Sequence, residues 1–480
     1  MQHSCIGNLI SAISIFTCNK HAEYLRHLGD MMIRNTSLAV FIILMTVVNN
    51  QSSHADMDHD KNWCISQNTK HEIRISACTR IIESGVFTGY NLALAFGFRG
   101  SVYSLTNQHK QALHDFDQAI NIDPKNADNY YNRGITYFMT NQIDRAIIDF
   151  NKTITLNPND ANAYNKRANA YKRKGLYNRA IEDFHDAIKL NSSFAEAYNN
   201  RGTAYDKLGQ YDLAFADYDK AINLDPDMAI ALYNRGREYE RNKNYDFAIA
   251  DFNSAIKFNF TELRVFYHRG KSHANLKNFD QALTDLNQAI KLKSDSSNFY
   301  IIRGNIYDDK GLYDQAILDY NKAITLDPNN PKAFNHRGSA YLSKGNHDRA
   351  IIDFNQVLAF NPDHANAYAG LGNAFYHKGQ FDKAINYFTQ SISLDPEYIL
   401  NYKNRGLTFA KIDQFKKAIA DFSKVVDADP DDTVTRGYRG ITYENIGEND
   451  KVISDYKIIY AMGLREQWLI DRLTELGVRL

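Results

Sequence analysis

Proline is scarce in this chain, at 8 residues in 480. Cysteine is scarcer still, at 4, and none falls among the 402 residues after Cys78. Charge of one sign is missing altogether: 56 Lys plus Arg offset 56 Asp plus Glu. No global field therefore exists to attract nucleic acid or an anionic membrane. The apolar run at residues 38–48 is too short to span a bilayer, which needs about 20 residues. There is no HExxH, no nucleophile elbow and no P-loop, and the fifteen His are scattered. Apolar content is an ordinary 44%, which argues against disorder.

What is present is a period. Glycine recurs at Gly100, Gly134, Gly202, Gly236, Gly270, Gly304, Gly338, Gly372, Gly406 and Gly440, in steps of 34 with one gap filled by Ala168. Eleven copies follow, framed over residues 93–466 without insertion or deletion. Length here means one long array, not several domains. In the fourth copy, residues 195–228, Tyr198, Gly202, Tyr205 and Leu208 fall on one helical face. Gly209 permits the left-handed backbone that ends a helix. Ala214, Tyr218, Ala221 and Ile222 mark a second helix, and Pro226 stops it. Each copy is expected to be an antiparallel helix pair.

The pattern resembles the tetratricopeptide repeat. The second small-residue slot runs Ala112, Ala146, Ala180, Ala214, Ala248, Ala282, Ala316, Ala350, Ala384 and Ala418, with Val452 last. The closing proline stands at Pro124, Pro158, Pro226, Pro328, Pro362, Pro396 and Pro430. The resemblance implies an all-α, right-handed superhelical solenoid with a concave inner surface. That surface is the family's default binding site.

The inner face lies on the first helix of each pair. It offers Asn165, Asn169, Lys172 and Arg173, then Asn199, Thr203, Asp206 and Lys207, then Tyr233, Arg237, Glu240 and Arg241, then Tyr267 and Lys271. Asn can donate to and accept from an extended peptide backbone, and Arg and Tyr are common interface anchors. Solvated helix faces are the plainer reading. Some relatives hold a chaperone's C-terminal carboxylate with Lys, Asn and Arg. The matching positions here are Asn165, Asn169, Asn200, Ile230 and Asn234, so the cations are missing and that ligand is disfavoured. An asparagine ladder found in another branch is broken here, with only Asn132, Asn200, Asn234 and Asn404 matching. His273 replaces a packing Tyr and reads as a core substitution more readily than as a base. The family also occurs fused to a sugar transferase, and the 14 residues after Glu466 hold no such domain.

The ends differ from the array. Residues 31–55 fit a signal peptide, with small residues at Ser53 and Ala55, so cleavage after Ala55 is expected. Residues 1–30 read as an over-extended start. Residues 56–92 are expected to form a capping half-repeat. Cys64 and Cys78 would be the two cysteines left after cleavage, and an exported chain makes a disulfide between them the favoured reading. Zinc and free thiols are the rivals, and two thiols supply only half a tetrahedral site. Residues 56–60, "DMDHD", could bind a metal but read better as a solvated terminus. Residues 467–480 place Trp468, Leu469, Leu473 and Leu476 on one face, as a cap helix or a partner-binding helix.

Two further series run together. Arg precedes the glycine slot in ten copies, and Asp follows it by sixteen residues, as in Arg303 with Asp319 and Arg337 with Asp353. Both series fail once, in copy nine, at Leu371 and Tyr387. Folding the repeat about its turn sets Arg opposite Asp, so an intrarepeat pair is expected; two unrelated exposed series are the alternative. The functional expectation is a scaffold without catalysis or cofactor, binding a protein or peptide in the groove of an exported, periplasmic protein. The alternatives are an envelope-assembly factor that uses its outer surface on a glycan or membrane complex, and an intracellular adaptor.

Overall fold

The computed structural model describes residues 54–479. The expected over-extended start and the apolar core of the signal peptide lie outside the described residues. Every regular element described is helical: 25 α-helices, and no strand among the described residues. The chain divides into two compact units at Thr261 and Glu262. The first unit holds twelve helices, from His54–Ile65 to Tyr245–Lys257. The second holds thirteen, from Leu263–Asn275 to Gln467–Glu475.

Copy four shows how the sequence makes a pair. Its helices are Ala195–Lys207 and Tyr211–Leu224. Between them Gly209 takes φ +74°, and Gln210 N–H donates back to the Tyr205 carbonyl. The same turn position has positive φ at Asn107, Asn141, Lys243, Lys277 and Asp413. Glycine is therefore favoured there, not required. The glycine at 202 answers to a different need. A Cβ on it would lie 2.7 Å from the Tyr218 ring, so its absence lets the two helices close. Ala197, Ala204, Ala214, Tyr218 and Ala221 are buried around that contact. Burying the large ring contributes about 1.5–3 kcal/mol. Tyr198 and Tyr205, expected on the core face, are only half-buried. Leu208 is exposed. The helix turns its small residues inward and leaves its aromatics at the rim.

Within each unit, the first helices of successive copies lie against one another, and the second helices do not approach as closely. The first helices therefore form the tighter side of each stack. One helix pair cannot bury its own apolar surface, and this stacking supplies what it lacks.

At the front of the first unit, two packed helices precede the array, His54–Ile65 and His71–Glu83. A Cys64–Cys78 disulfide joins them, and both cysteines are buried. At the far end of the second unit, helix Gln467–Glu475 buries Leu469 and Leu473 against Val452, Tyr456 and Ile459. Trp468 does not join that core. It stays 44% exposed, with its ring edge-on to Tyr456 and its indole N–H donating to Glu466.

Candidate functional site: the face of the first helices

The first helices are held in place by a repeated staple. In ten copies the guanidinium grips the Asp carboxylate with both Nε and Nη2, as Arg303 does with Asp319 at 2.7 Å and Arg337 with Asp353 at 2.8 and 2.7 Å. The Asp members are almost fully buried. In most copies Nη1 reaches back to the preceding copy: Arg133 to Asp117, Arg167 to Asn151, Arg303 to Asn287, Arg337 to Asn321. Each such arginine thus ties three helices. Its planar head also lies beside two rings of its own helix, Tyr198 and Tyr205 for Arg201 at 5.5 and 5.9 Å.

Copy nine replaces this arrangement as a whole. Leu371 is fully buried. The Tyr387 ring stacks on Phe375 at 5.3 Å and on Tyr368 at 6.3 Å. Those two rings occupy the positions that flank arginine elsewhere. Tyr387 thus fills the slot the guanidinium leaves, and Leu371 needs no carboxylate. This is why the two exceptions occur together.

The groove-facing residues of the first unit divide into fasteners and accessible groups. Asn165, Asn199 and Tyr233 were expected to face a ligand, but all three are buried, at 0%, 5% and 3% exposure. Asn165 and Asn199 turn toward the next copy, and Tyr233 toward its own second helix and the loop that follows it. Asn165 donates to Glu196 at 3.2 Å, Asn199 accepts from Asn234 at 2.9 Å, and Tyr233 packs on Phe252 and Phe260. Asn169 is half-buried and donates to the Asn165 carbonyl. Lys172 Nζ donates to Asn200 Oδ1 and Thr203 Oγ1, at 3.2 and 3.0 Å. Burial lowers its pKa to about 8, against the attraction of Glu196. Arg173 and Lys207 are exposed, Arg173 lying over the Phe138 ring and donating to the Phe138 carbonyl.

Arg237 and Arg241 converge on Asp206, at 3.6 and 2.9 Å. Arg241 also pairs with Glu238 and lies 3.7 Å over the Tyr211 ring. Glu238 is 1% exposed, and burial pushes its carboxyl up against the pull of Arg241. Sequence reasoning missed Glu238. The signal was available, because the same slot holds Ala170, Ala204 and Ala340 in other copies. Tyr267 and Lys271 belong to the second unit; Tyr267 is half-buried against Phe299, and Lys271 is half-buried too. His273 is half-buried, with its pKa lowered chiefly by burial. Among the described residues no cluster of three metal-ligating side chains forms. No described helix is long and apolar enough to cross a membrane.

Family models for the tetratricopeptide repeat match along both units. The TPR repeat model matches residues 100–141, 136–175, 171–209, 304–345 and 338–379. Two further tetratricopeptide repeat models match 195–228, 229–261, 263–296, 365–398 and 402–432. The chain belongs to the tetratricopeptide repeat family. Among solved structures it is similar to YrrB, described as a TPR protein with an unusual peptide-binding site. Identity there is 27% over 39% of this chain and 96% of that one, with a TM-score of 0.36. It is also similar to yeast Tom70, at 15% identity over 81% and 95% of the two chains and a TM-score of 0.39. A tetratricopeptide repeat protein of Parabacteroides merdae is 20% identical over 52% and 98%, with a TM-score of 0.40. No curated protein matches the sequence.

Proposed function

We propose that this protein is a non-catalytic scaffold whose first-helix face binds an extended protein segment. The observation that carries the reading is the division of that face. Buried asparagines and ion pairs lock neighbouring copies together, and Asn169, Thr203, Arg173 and Lys207 remain reachable beside them. A surface that spends its buried polar groups on rigidity presents its remaining ones preorganised. The protein acts in an exported, periplasmic compartment, a reading supported by the apolar run with a small-residue cleavage site and by a disulfide near the start of the array.

The test is partner capture with charge reversal at Arg173 and Lys207. Both are exposed and form no ion pair with an acid, so Arg173→Glu with Lys207→Glu should weaken capture and lower the thermal midpoint only slightly, through the lost Arg173 contacts to Phe138. Reversal at Arg237 and Arg241 is less useful, because it would leave Asp206 and Glu238 unpaired. N-terminal sequencing of protein recovered outside the cytoplasm should begin at Asp56. Retention of residues 1–55 there would reject cleavage.

The second reading is attachment through the outer surface. It is favoured by Ile148, Leu318 and Ile352 on the second helices, exposed at 65%, 68% and 67%. Capture that survives the Arg173 and Lys207 changes and fails with Leu318→Lys and Ile352→Lys would select it.

A further inference from the structure

Asp308 differs from its counterpart in copy four. It stands three repeats after Asp206, at the same position of its first helix. In copy four the Asp206 slot is filled from the next copy, by Arg237 and Arg241. In copy seven the two corresponding positions of the next copy are Ser339 and Ser343. The acid has been kept and both of its arginines are gone. The consequence is visible at the atom: Asp308 Oδ1 is buried and has no hydrogen-bond partner. Lys310, two residues on, points elsewhere, with its ammonium 2.8 Å from Asp280.

The surroundings are polar and ordered. The buried Tyr320 donates its hydroxyl to Asn305 Oδ1 at 2.8 Å. Burial first, then the nearby Asp308 and Asp309 carboxylates, push the Tyr320 phenol up, so the two acids lie within electrostatic reach of that hydroxyl. His336 stacks on the Tyr320 ring at 5.9 Å. Burial, and after it Lys332, lowers the His336 pKa, which favours the neutral ring. Beside His336 in sequence, Asn335 Oδ1 is a second buried acceptor without a partner. Both unsatisfied atoms are oxygens. A buried acceptor left alone costs about 1–3 kcal/mol, more when charged. What Asp308 lacks is a donor with positive charge.

We propose that Asp308 anchors a subsite for a basic side chain, an arginine of an extended segment taken by the second unit's own first-helix face. The ligand's guanidinium occupies the place that Arg237 and Arg241 fill in copy four. Asp309, exposed and next in sequence, adds a second negative charge within electrostatic reach of Asp308. The arginine fork matches a carboxylate with two parallel N–H bonds. This inference rests on the reading of that face as segment-binding.

The full chain is screened on a random dodecapeptide array. Arginine should be enriched among the peptides bound. The tightest binder is then remade with citrulline at each arginine, which keeps shape and removes charge. At one arginine the exchange should weaken binding about tenfold, and Asp308→Asn should weaken the parent peptide equally. Asp308→Asn removes an uncompensated charge and so leaves the fold intact. Ser339→Arg supplies the missing partner from within the chain. It should block the parent peptide and raise the thermal midpoint. Peptides bound with no basic preference, or with unchanged affinity for Asp308→Asn, overturn the subsite and leave segment binding standing. An array that captures nothing overturns segment binding itself, and the subsite with it.

Discussion

At the scale of the residue, this protein handles buried charge in two ways. The staple arginines sit against nearly buried carboxylates with two-point geometry, a setting in which losing one partner costs on the order of 3 kcal/mol. Copy nine is a worked example of losing both. Arg303 has the same flanking rings as its counterparts, with Tyr300 at 5.6 Å and Tyr307 within electrostatic range. Arg303→Leu or Asp319→Tyr alone should therefore lower stability by roughly 3 kcal/mol. The double variant should recover most of it, because the new ring can enter between Tyr300 and Tyr307. Recovery should stop short by about 1 kcal/mol, since the Arg303 bond to Asn287 has no replacement. Urea unfolding of the four proteins measures the coupling, and a coupling near zero would show that the pair is energetically inert. Lys172 is the opposite case, an ammonium held by neutral oxygens. Its folded pKa of about 8 lies below the ordinary 10.5. Between those values the unfolded chain binds more protons, so stability rises with pH across that window. Relative to Lys172→Met, the wild type should gain on the order of 3 kcal/mol between pH 8 and 10.5. A flat difference would mean that the ammonium is solvated.

At the scale of the element, the helices were legible because each is marked three times, by its small-residue slot, its turn position and often its proline. The pairing of Arg with Asp was legible for a related reason. Two series that fail in the same copy report a shared environment, and the antiparallel pair supplies it. The candidate site was harder to read. Asn165, Asn199 and Tyr233 share the expected spacing of three and four with accessible neighbours, but that spacing does not tell which members of the stripe the packing covers. Periodicity locates a face and does not separate its edge from its centre. Asp308 shows the same limit. Its meaning lies in Ser339 and Ser343, one copy further on, and appears only when pairing across copies is known from Asp206. The front of the array allows a direct test. The disulfide closes a short loop and joins two helices that contribute few other large side chains. Cys78→Ser, or reduction, should cost about 2–4 kcal/mol, seen as early melting of residues 57–83. Unchanged proteolytic resistance in that segment would show that packing of Ala77 and Ile81 suffices without the cross-link.

At the scale of the whole molecule, repetition sets how far any local change is felt. Each copy contacts its neighbours and little else, so stability is close to a sum of copy and interface contributions. The staple makes this coupling specific. Arg303 holds its own second helix through Asp319 and the preceding second helix through Asn287. Removing it loosens copy seven and its joint with copy six in one step. The Asp319 carboxylate it served is interior, so no other side chain can take over there without moving a helix. Amide exchange in Arg303→Leu should therefore accelerate across helices Phe279–Leu292, Ser297–Asp309 and Tyr313–Leu326. Helices Phe415–Ala428 and Asn449–Ala461, three and four copies away, should keep their protection. Uniform acceleration through the second unit would mean instead that its thirteen helices open as one cooperative body. The first-helix face of that unit would then be a single rigid surface, and the Asp308 subsite could not be loosened without loosening all of it.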